Sequence, residues 1–359
     1  MKTYSHLYER LCSFDNLFAA FCKAKRGKSK RWDVLAFECN LFDELMQLQN
    51  ELLTQTYVPQ PMRKLVIHDP KTRTIHIADF SDRVIHHAII NIIGPIFEPQ
   101  FIYDSHASQK MKGTHKAVQR FKKFVQKVSR NGKLVSTAFN RNHVEGYVFK
   151  ADIYHYFPSI DHAILLDMLK EIIKDEKVIW LMSKLLENFS TSPGKGMPLG
   201  NYTSQFLANV YLNKFDYFVK HGLRIKYYMR YVDDFVIFHQ EKRVLGQYQK
   251  EIQEYLHGLA LKLHPQKSKI LPLRNGVAFL GYRIFHQYML LRKSNLRRFK
   301  RSFEKTAEQY MQGEMTTQQL KGKIQGWQGY AQWANTHNFR KKISGEVRKL
   351  VRAKPIAIK

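Results

Sequence analysis

Leucines and phenylalanines at 41, 42, 45, 48 and 52 fall three and four residues apart, marking one face of a helix. Residues 1–60 as a whole read as helical around a basic run from Lys23 to Arg31, and Pro59 and Pro61 close the region. The pattern then changes to period two. Residues 63–77 alternate apolar and polar positions on both sides of Asp69-Pro70-Lys71-Thr72, which predicts a hairpin with a basic tip. A helical pattern follows from Asp82 to Ile93, and Gly94-Pro95 predicts its end.

Further along, YVFKADI (147–153) is a short apolar strand that ends in an acid. Residues 163–189 read as helical, 192–202 as a glycine-rich loop, and Thr203 to Lys220 as the helix after it. IKYYMRYVDDFVIF (225–238) reads as two strand runs that meet at Asp233-Asp234. A helix over 242–258 precedes a short strand pair holding FLGYRIF (279–285), and the chain from about 290 is helical and basic. Helices interleaved with strands, with acids at the strand ends, predict an α+β sheet domain followed by a helical one. The expected divisions are a helical, basic extension over 1–60, a sheet domain over 61–286 and a helical domain over 287–359.

Charge narrows the partners. Lys and Arg number 59 against 30 Asp and Glu, a net charge of +29. Such an excess suits a polyanion, because each phosphate that is neutralised releases condensed counterions. Cys12, Cys22 and Cys39 have no CxxC spacing, and an odd count suits a reducing compartment. The start lacks the apolar core of a signal peptide, and no stretch reaches the roughly 18 apolar residues of a membrane span. A cytoplasmic protein with no membrane partner is expected. The 16 histidines show no ligand spacing.

The acids carry the candidate chemistry. Asp233-Asp234 lies inside the apolar run Tyr231 to Val236, where two carboxylates repel each other and resist burial unless a cation compensates. A lone Asp-Asp is more often a simple turn. Here strands flank it, and Asp152 closes another strand that can lie alongside. Carboxylate oxygens of this kind suit Mg²⁺, and two such ions roughly 4 Å apart serve in-line phosphoryl transfer.

On these residues the chain resembles the reverse transcriptases. Tyr231-Val232-Asp233-Asp234 looks like their YxDD box, and Asp152-Ile153 with Phe157 five residues after the acid is similar to their first catalytic motif. Leu199-Gly200 with Ser204-Gln205 sits where the family has its nucleotide-pocket loop. Phe279-Leu280-Gly281 resembles the primer-grip hairpin, and Lys71-Thr72-Arg73 the basic fingertip. All fall in the family's order over roughly 60–290, and GWQGYAQWANTHNF (326–339) resembles the thumb. The resemblance implies a right-hand polymerase, with fingers and a palm built on an antiparallel sheet and then a helical thumb. It implies an RNA-directed DNA polymerase acting on template RNA, an RNA/cDNA duplex and dNTPs with two Mg²⁺ ions, or Mn²⁺ in their place.

For single residues, the resemblance implies that Asp152, Asp233 and Asp234 hold the metals, with the Ile153 carbonyl as a further ligand. Phe157 would exclude a 2′-hydroxyl, and Arg73 would pair with the triphosphate, a task that suits a guanidinium fork. Lys64, Arg63 and Lys71 are further basic candidates there. Lys267, or Lys269 beside it, would protonate the pyrophosphate. Trp327, Tyr330 and Trp333 are expected in core packing of the thumb.

The loop Leu199-Gly200-Asn201-Tyr202-Thr203-Ser204-Gln205 departs from the Gln-Gly usual in group II intron and retroviral enzymes. Its L-G-x-x-x-S-Q form, DFSDRVIHHAI (79–89) and the short length resemble the reverse transcriptases of diversity-generating retroelements. That subclass implies copying that is error-prone at template adenine, and a small basic accessory protein oligomer. The basic run at Lys23–Arg31 offers extra phosphate contacts. The alternatives are a retron, group II intron-type or abortive-infection reverse transcriptase, or a non-catalytic RNA-binding scaffold.

Overall fold

The computed structural model describes residues 2–68, 72–134 and 144–353. Asp69, Pro70 and Lys71, the expected hairpin tip, lie outside the described residues. The chain divides into two compact units, one of residues 1–111, 150–236 and 246–269, the other of 112–149, 237–245 and 270–359. Mixed helices and antiparallel strands make this an α+β fold.

In the first unit the helix Phe80–Phe97 is the central post. Val84, Ile85, Ala88, Ile89 and Ile93 on it are buried, and the helices Phe14–Lys25 and Tyr202–Tyr217 pack against it. Phe80 also meets Phe37 and Phe21 edge-on, with ring centroids 5.1 and 6.1 Å away. Polar pins add direction: Asn16 donates to the Ala88 carbonyl, and Tyr57 donates to the buried Asp82 carboxylate at 2.7 Å. Asp33, also buried, collects the guanidinium groups of Arg31, Arg83 and Arg63 at 2.9, 3.4 and 3.6 Å.

This helix does not stop at Gly94-Pro95 as expected; it carries Pro95 inside and ends at Phe97. A proline one turn from the end leaves only one carbonyl without its donor, and Gly94 has no Cβ to collide with the ring. Continuing also buries Ile96 and Phe97. Residues 163–189, expected to be helical, form two helices, His162–Ile172 and Glu176–Glu187. Asp175 breaks the run. One of its oxygens caps the following helix at Lys177 N, and the other accepts from Leu7 N and Tyr8 N at 2.7 and 2.9 Å. A carboxylate that serves two helix starts favours the break over one continuous helix.

A four-stranded sheet runs in the order Tyr228–Tyr231, Asp234–His239, Tyr147–Asp152, Lys269–Pro272. The hairpin Arg63–Ile67 with Arg73–Ile77 forms as expected, antiparallel, with Lys64 opposite His76 and Ile67 opposite Arg73.

In the second unit, the strands Val277–Phe279, Tyr282–Ile284 and Met289–Leu291 make an antiparallel sheet, one strand more than the expected pair. Leu280 and Gly281 turn between the first two with φ of +43° and +90°, the left-handed pair that a two-residue hairpin demands. Helices Lys293–Met311, Thr317–Ala331 and His337–Ala353 follow, the second opened by a Thr316/Gln319 capping box. Trp327 lies flat on Phe299, centroids 3.5 Å apart, within the apolar cluster of these helices. Tyr330 donates to the Gly281 carbonyl, and Trp333 stacks on His115. Among the described residues no helix is long and apolar enough to cross a membrane.

Candidate active site

Val232 and Asp233 form the turn between the strands Tyr228–Tyr231 and Asp234–His239. Val232 has φ of +56°, where a β-branched residue sits only if its surroundings hold it there. The hold comes from Arg230. Its Nη1 donates to the Val232 carbonyl at 3.0 Å and to Asn209 Oδ1 at 3.1 Å. Nε and Nη2 donate to the Asp216 carboxylate at 2.8 and 2.6 Å, and the Tyr228 hydroxyl donates to it at 2.5 Å. Asn209 and Asp216 stand seven residues apart on the helix Tyr202–Tyr217, hence on one face. Arg230 and Asp216 are both fully buried. Burial alone would lower the arginine's pKa, but its pairing with Asp216 carries it above the usual value.

Asp152 ends its strand against the same turn: Ile153 N donates to the Asp233 carbonyl at 3.3 Å. His264 N donates to the Asp152 carbonyl at 2.7 Å, which brings the segment 264–268 alongside. From that segment Lys267 Nζ reaches both Asp152 oxygens, at 3.0 and 3.1 Å. Lys267 is thus the lysine on Asp152, and Lys269 is an exposed residue opening the next strand. Burial, then the charges of Asp234 and Asp152, push the Asp233 carboxyl up to about 6 against a smaller opposing effect of Lys267.

Asp234 and Asp152 raise the proton affinity of Asp233, and Asp152 is already drawn to an ammonium, so the site is short of positive charge. Hard oxygen donors in that condition fit a Mg²⁺-type cation. Among the described residues, no three Asp, Glu, His or Cys side chains converge as a finished ligand set.

The glycine-rich loop meets the hairpin. His76 N donates to the Leu199 carbonyl at 3.0 Å, and Gly200 has φ of +114°. A Cβ on Gly200 would lie 2.5 Å from Ile75 Cγ2, so only glycine allows this approach. Strand alternation puts Arg73 on the hairpin face of Ile75, toward the loop. Lys64, paired with His76, belongs to the opposite face, where the His76 ring meets Phe189 edge-on at 4.5 Å. Arg63 shares the face of Arg73 but is engaged with Asp33. Phe157 is half-buried just after the strand of Asp152; its carbonyl accepts from Met197 N at 2.9 Å, and its ring meets Tyr156 edge-on. Gln205 is exposed, and its Oε1 accepts from Ser108 Oγ at 3.2 Å.

The structure therefore brings Asp152, with Lys267 on it, against the turn that carries Asp233 into Asp234, and joins Leu199 and Gly200 to the strand of Arg73, while Lys64 points elsewhere. Sequence reasoning passed over Arg230, Asp216 and Asn209. The available signal was a charge inside an apolar strand: an arginine two residues before Val232 has to be paired if it is buried.

The family described as reverse transcriptase (RNA-dependent DNA polymerase) matches residues 67–284, more than half of the chain. Protein YkfC of Escherichia coli K12 is 25% identical over 291 residues, covering 70% of this chain and 73% of that protein. The group II intron-encoded protein LtrA of Lactococcus lactis subsp. cremoris is 27% identical over 288 residues, covering 76% of this chain and 45% of LtrA. A putative COX1/OXI3 intron 2 protein of Saccharomyces cerevisiae is 21% identical over 331 residues, and the match spans 36% of its length.

Replacing Arg230 by Met should strand the Asp216 carboxylate in the core and cost about 3–5 kcal/mol. Urea unfolding measures it, and Arg230→Met combined with Asp216→Leu should recover part of the loss. A single variant as stable as the native protein would mean that the pair does not hold this region.

Proposed function

The chain belongs to the reverse transcriptase family and is an RNA-directed DNA polymerase, and we propose that it copies a template RNA into cDNA by two-metal nucleotidyl transfer. The observation that carries the metal assignment is the raised Asp233 carboxyl, crowded by Asp234 and Asp152 with Lys267 as the nearby cation. In this reading Asp152, Asp233 and Asp234, with the Ile153 carbonyl, hold two Mg²⁺ ions, or Mn²⁺. Bound there, such ions lower the pKa of the attacking 3′-hydroxyl and stabilise the leaving oxygen.

The chain's own residues do the rest. Arg73 takes the triphosphate with a guanidinium fork. Leu199, Gly200 and Gln205 line the nucleotide pocket, and Phe157 lies under the sugar and leaves no space for a 2′-hydroxyl. Lys267 leaves Asp152 to give a proton to the departing pyrophosphate. Residues 61–286 serve as fingers and palm, 287–359 as a right-hand polymerase's thumb, and 1–60 as a basic extension, all working in the cytoplasm.

Asp233→Ala combined with Asp234→Ala should abolish primer extension while RNA binding survives. The native enzyme should need more Mg²⁺ as the pH falls below about 6, where Asp233 takes up the proton that a cation must displace. Extension by the double variant at the native rate would refute the assignment.

Within the family, we propose a polymerase of a diversity-generating retroelement, working with a basic accessory protein and error-prone at template adenine. The reading rests on Leu199 where the usual glutamine would stand. A leucine has no group with which to hold the incoming base in one geometry, and losing one positioned hydrogen bond narrows selectivity by on the order of 1 kcal/mol. A group II intron-type enzyme is the second reading, favoured by the similarity to LtrA. Sequencing cDNA from a template with all four bases separates them. The first reading expects errors concentrated opposite adenine and reduced in Leu199→Gln; errors spread evenly over the four bases contradict it.

A further inference from the structure

The segment 79–89 carries side chains that polymerisation at the acids does not use. On the helix Phe80–Phe97, Arg83, His86 and His87 stand at i, i+3 and i+4, and therefore share a face. With Lys28 and Arg31 from the basic run, and Gly200 and Asn201 from the loop, they line a cavity of about 230 Å³. At roughly 30 Å³ per water, that is space for a phosphate and several waters.

The cavity has too many cations for its carboxylates. Asp33 pairs with Arg31 and Arg83 but is shared with Arg63 as well. Asp79, the other acid acting on Arg83, is occupied in capping Ser81 N. Lys28 makes no side-chain hydrogen bond among the described residues, and burial, then Arg83 and Arg31, hold its ammonium below the usual pKa. Burial, then Lys28 and Lys23, push His87 down to about 4, and its ring stacks on Tyr202 at 4.8 Å. His86 is 4% exposed, and its Nδ1 is buried with no hydrogen-bond partner among the described residues. A buried ring nitrogen without a partner is costly unless a ligand completes it. Repulsion among cations and an orphaned nitrogen are both relieved by one group, an anion rich in acceptor oxygens.

We propose that this cavity is a phosphate-binding site, formed by Lys28, Arg31, Arg83, His86 and His87, that holds the backbone of the single-stranded template. The choice of RNA as the source of the phosphate rests on the polymerase reading; the phosphate chemistry itself does not. The cavity adjoins the Gly200 loop, so a strand held here is anchored by its backbone beside the proposed nucleotide pocket, with no base identity required.

The test uses the full chain and Lys28→Gln, which removes a cation with no structural hydrogen bond. A second variant, Lys28→Gln with His87→Gln, checks the effect with a second lining residue removed. Binding is measured for a primer–template with a 5′ RNA overhang and for the same duplex made blunt, over a range of salt. Lys28→Gln should weaken overhang binding about fivefold and reduce the log K against log salt slope by about 0.7, as for one lost single-strand phosphate contact. Blunt-duplex affinity should not change. Inorganic tripolyphosphate should raise the melting temperature of the native protein more than that of the variants, a readout that needs no polymerisation. If the native chain extends no primer but this difference persists, the polymerase reading fails and the phosphate site stands. If Lys28→Gln raises the KM for dNTP and leaves overhang binding intact, the phosphate comes from the nucleotide and the template assignment is overturned. Equal stabilisation of native and variant proteins by tripolyphosphate, with unchanged overhang binding, overturns the site altogether.

Discussion

Everything proposed for the acids depends on one buried ion pair. Arg230 and Asp216 are both without solvent contact, which is expensive unless every donor and lone pair is used. Here nearly all are used: the guanidinium spans Asp216, Asn209 and the Val232 carbonyl, and Tyr228 completes the carboxylate. The hydrogen bond to Val232 is the consequential one. It fixes a backbone carbonyl in a turn whose φ a valine would not choose, and that turn carries Asp233 into Asp234. The same ion pair ties the strand before the turn to the helix after the Gly200 loop, so the loop and the acids share one support.

A second constraint is the distribution of charge. The chain carries an excess of 29 positive charges, yet its acids are not scattered evenly against them. Asp216 is spent on the buried Arg230, Asp33 on Arg31, Arg83 and Arg63, and Asp82 and Asp175 on backbone or hydroxyl donors. Asp152, Asp233 and Asp234 are left crowded together, with Lys267 beside them. A polyanion would complement the excess of lysines and arginines, and the proposed metal ions would complement the carboxylates beside Asp233.

Much of this was legible in the sequence where local chemistry decides. The hairpin strands Arg63–Ile67 and Arg73–Ile77 and the Leu280-Gly281 turn are set by alternation and turn residues within a few positions, and they stand where expected, as do the two strands that flank Asp233. Illegible features came from partners distant in the chain. Asp175 breaks a helix because Leu7 and Tyr8 need an acceptor, 168 and 167 residues away. The Pro95 helix continues because burial of Ile96 and Phe97 outweighs one lost hydrogen bond. Arg73 and, as a further basic candidate, Lys64 both belong to the hairpin in the sequence, and only the register puts them on opposite faces. Arg230 was in plain view beside the acids, but its partners Asn209 and Asp216 sit on another element.

The central claim is that Arg230 positions the turn that presents the acids, and Arg230→Lys tests it most directly. Lysine keeps the charge that Asp216 needs but cannot span Asp216, Asn209 and the Val232 carbonyl at once. The measurement is single-nucleotide primer extension on saturating RNA template, alongside template affinity and unfolding. The account predicts a folded protein with native template affinity whose kcat falls by about tenfold or more, as expected when a positioned hydrogen bond worth about 1.4 kcal/mol is lost. A folded Arg230→Lys protein that extends primers at the native rate would contradict it.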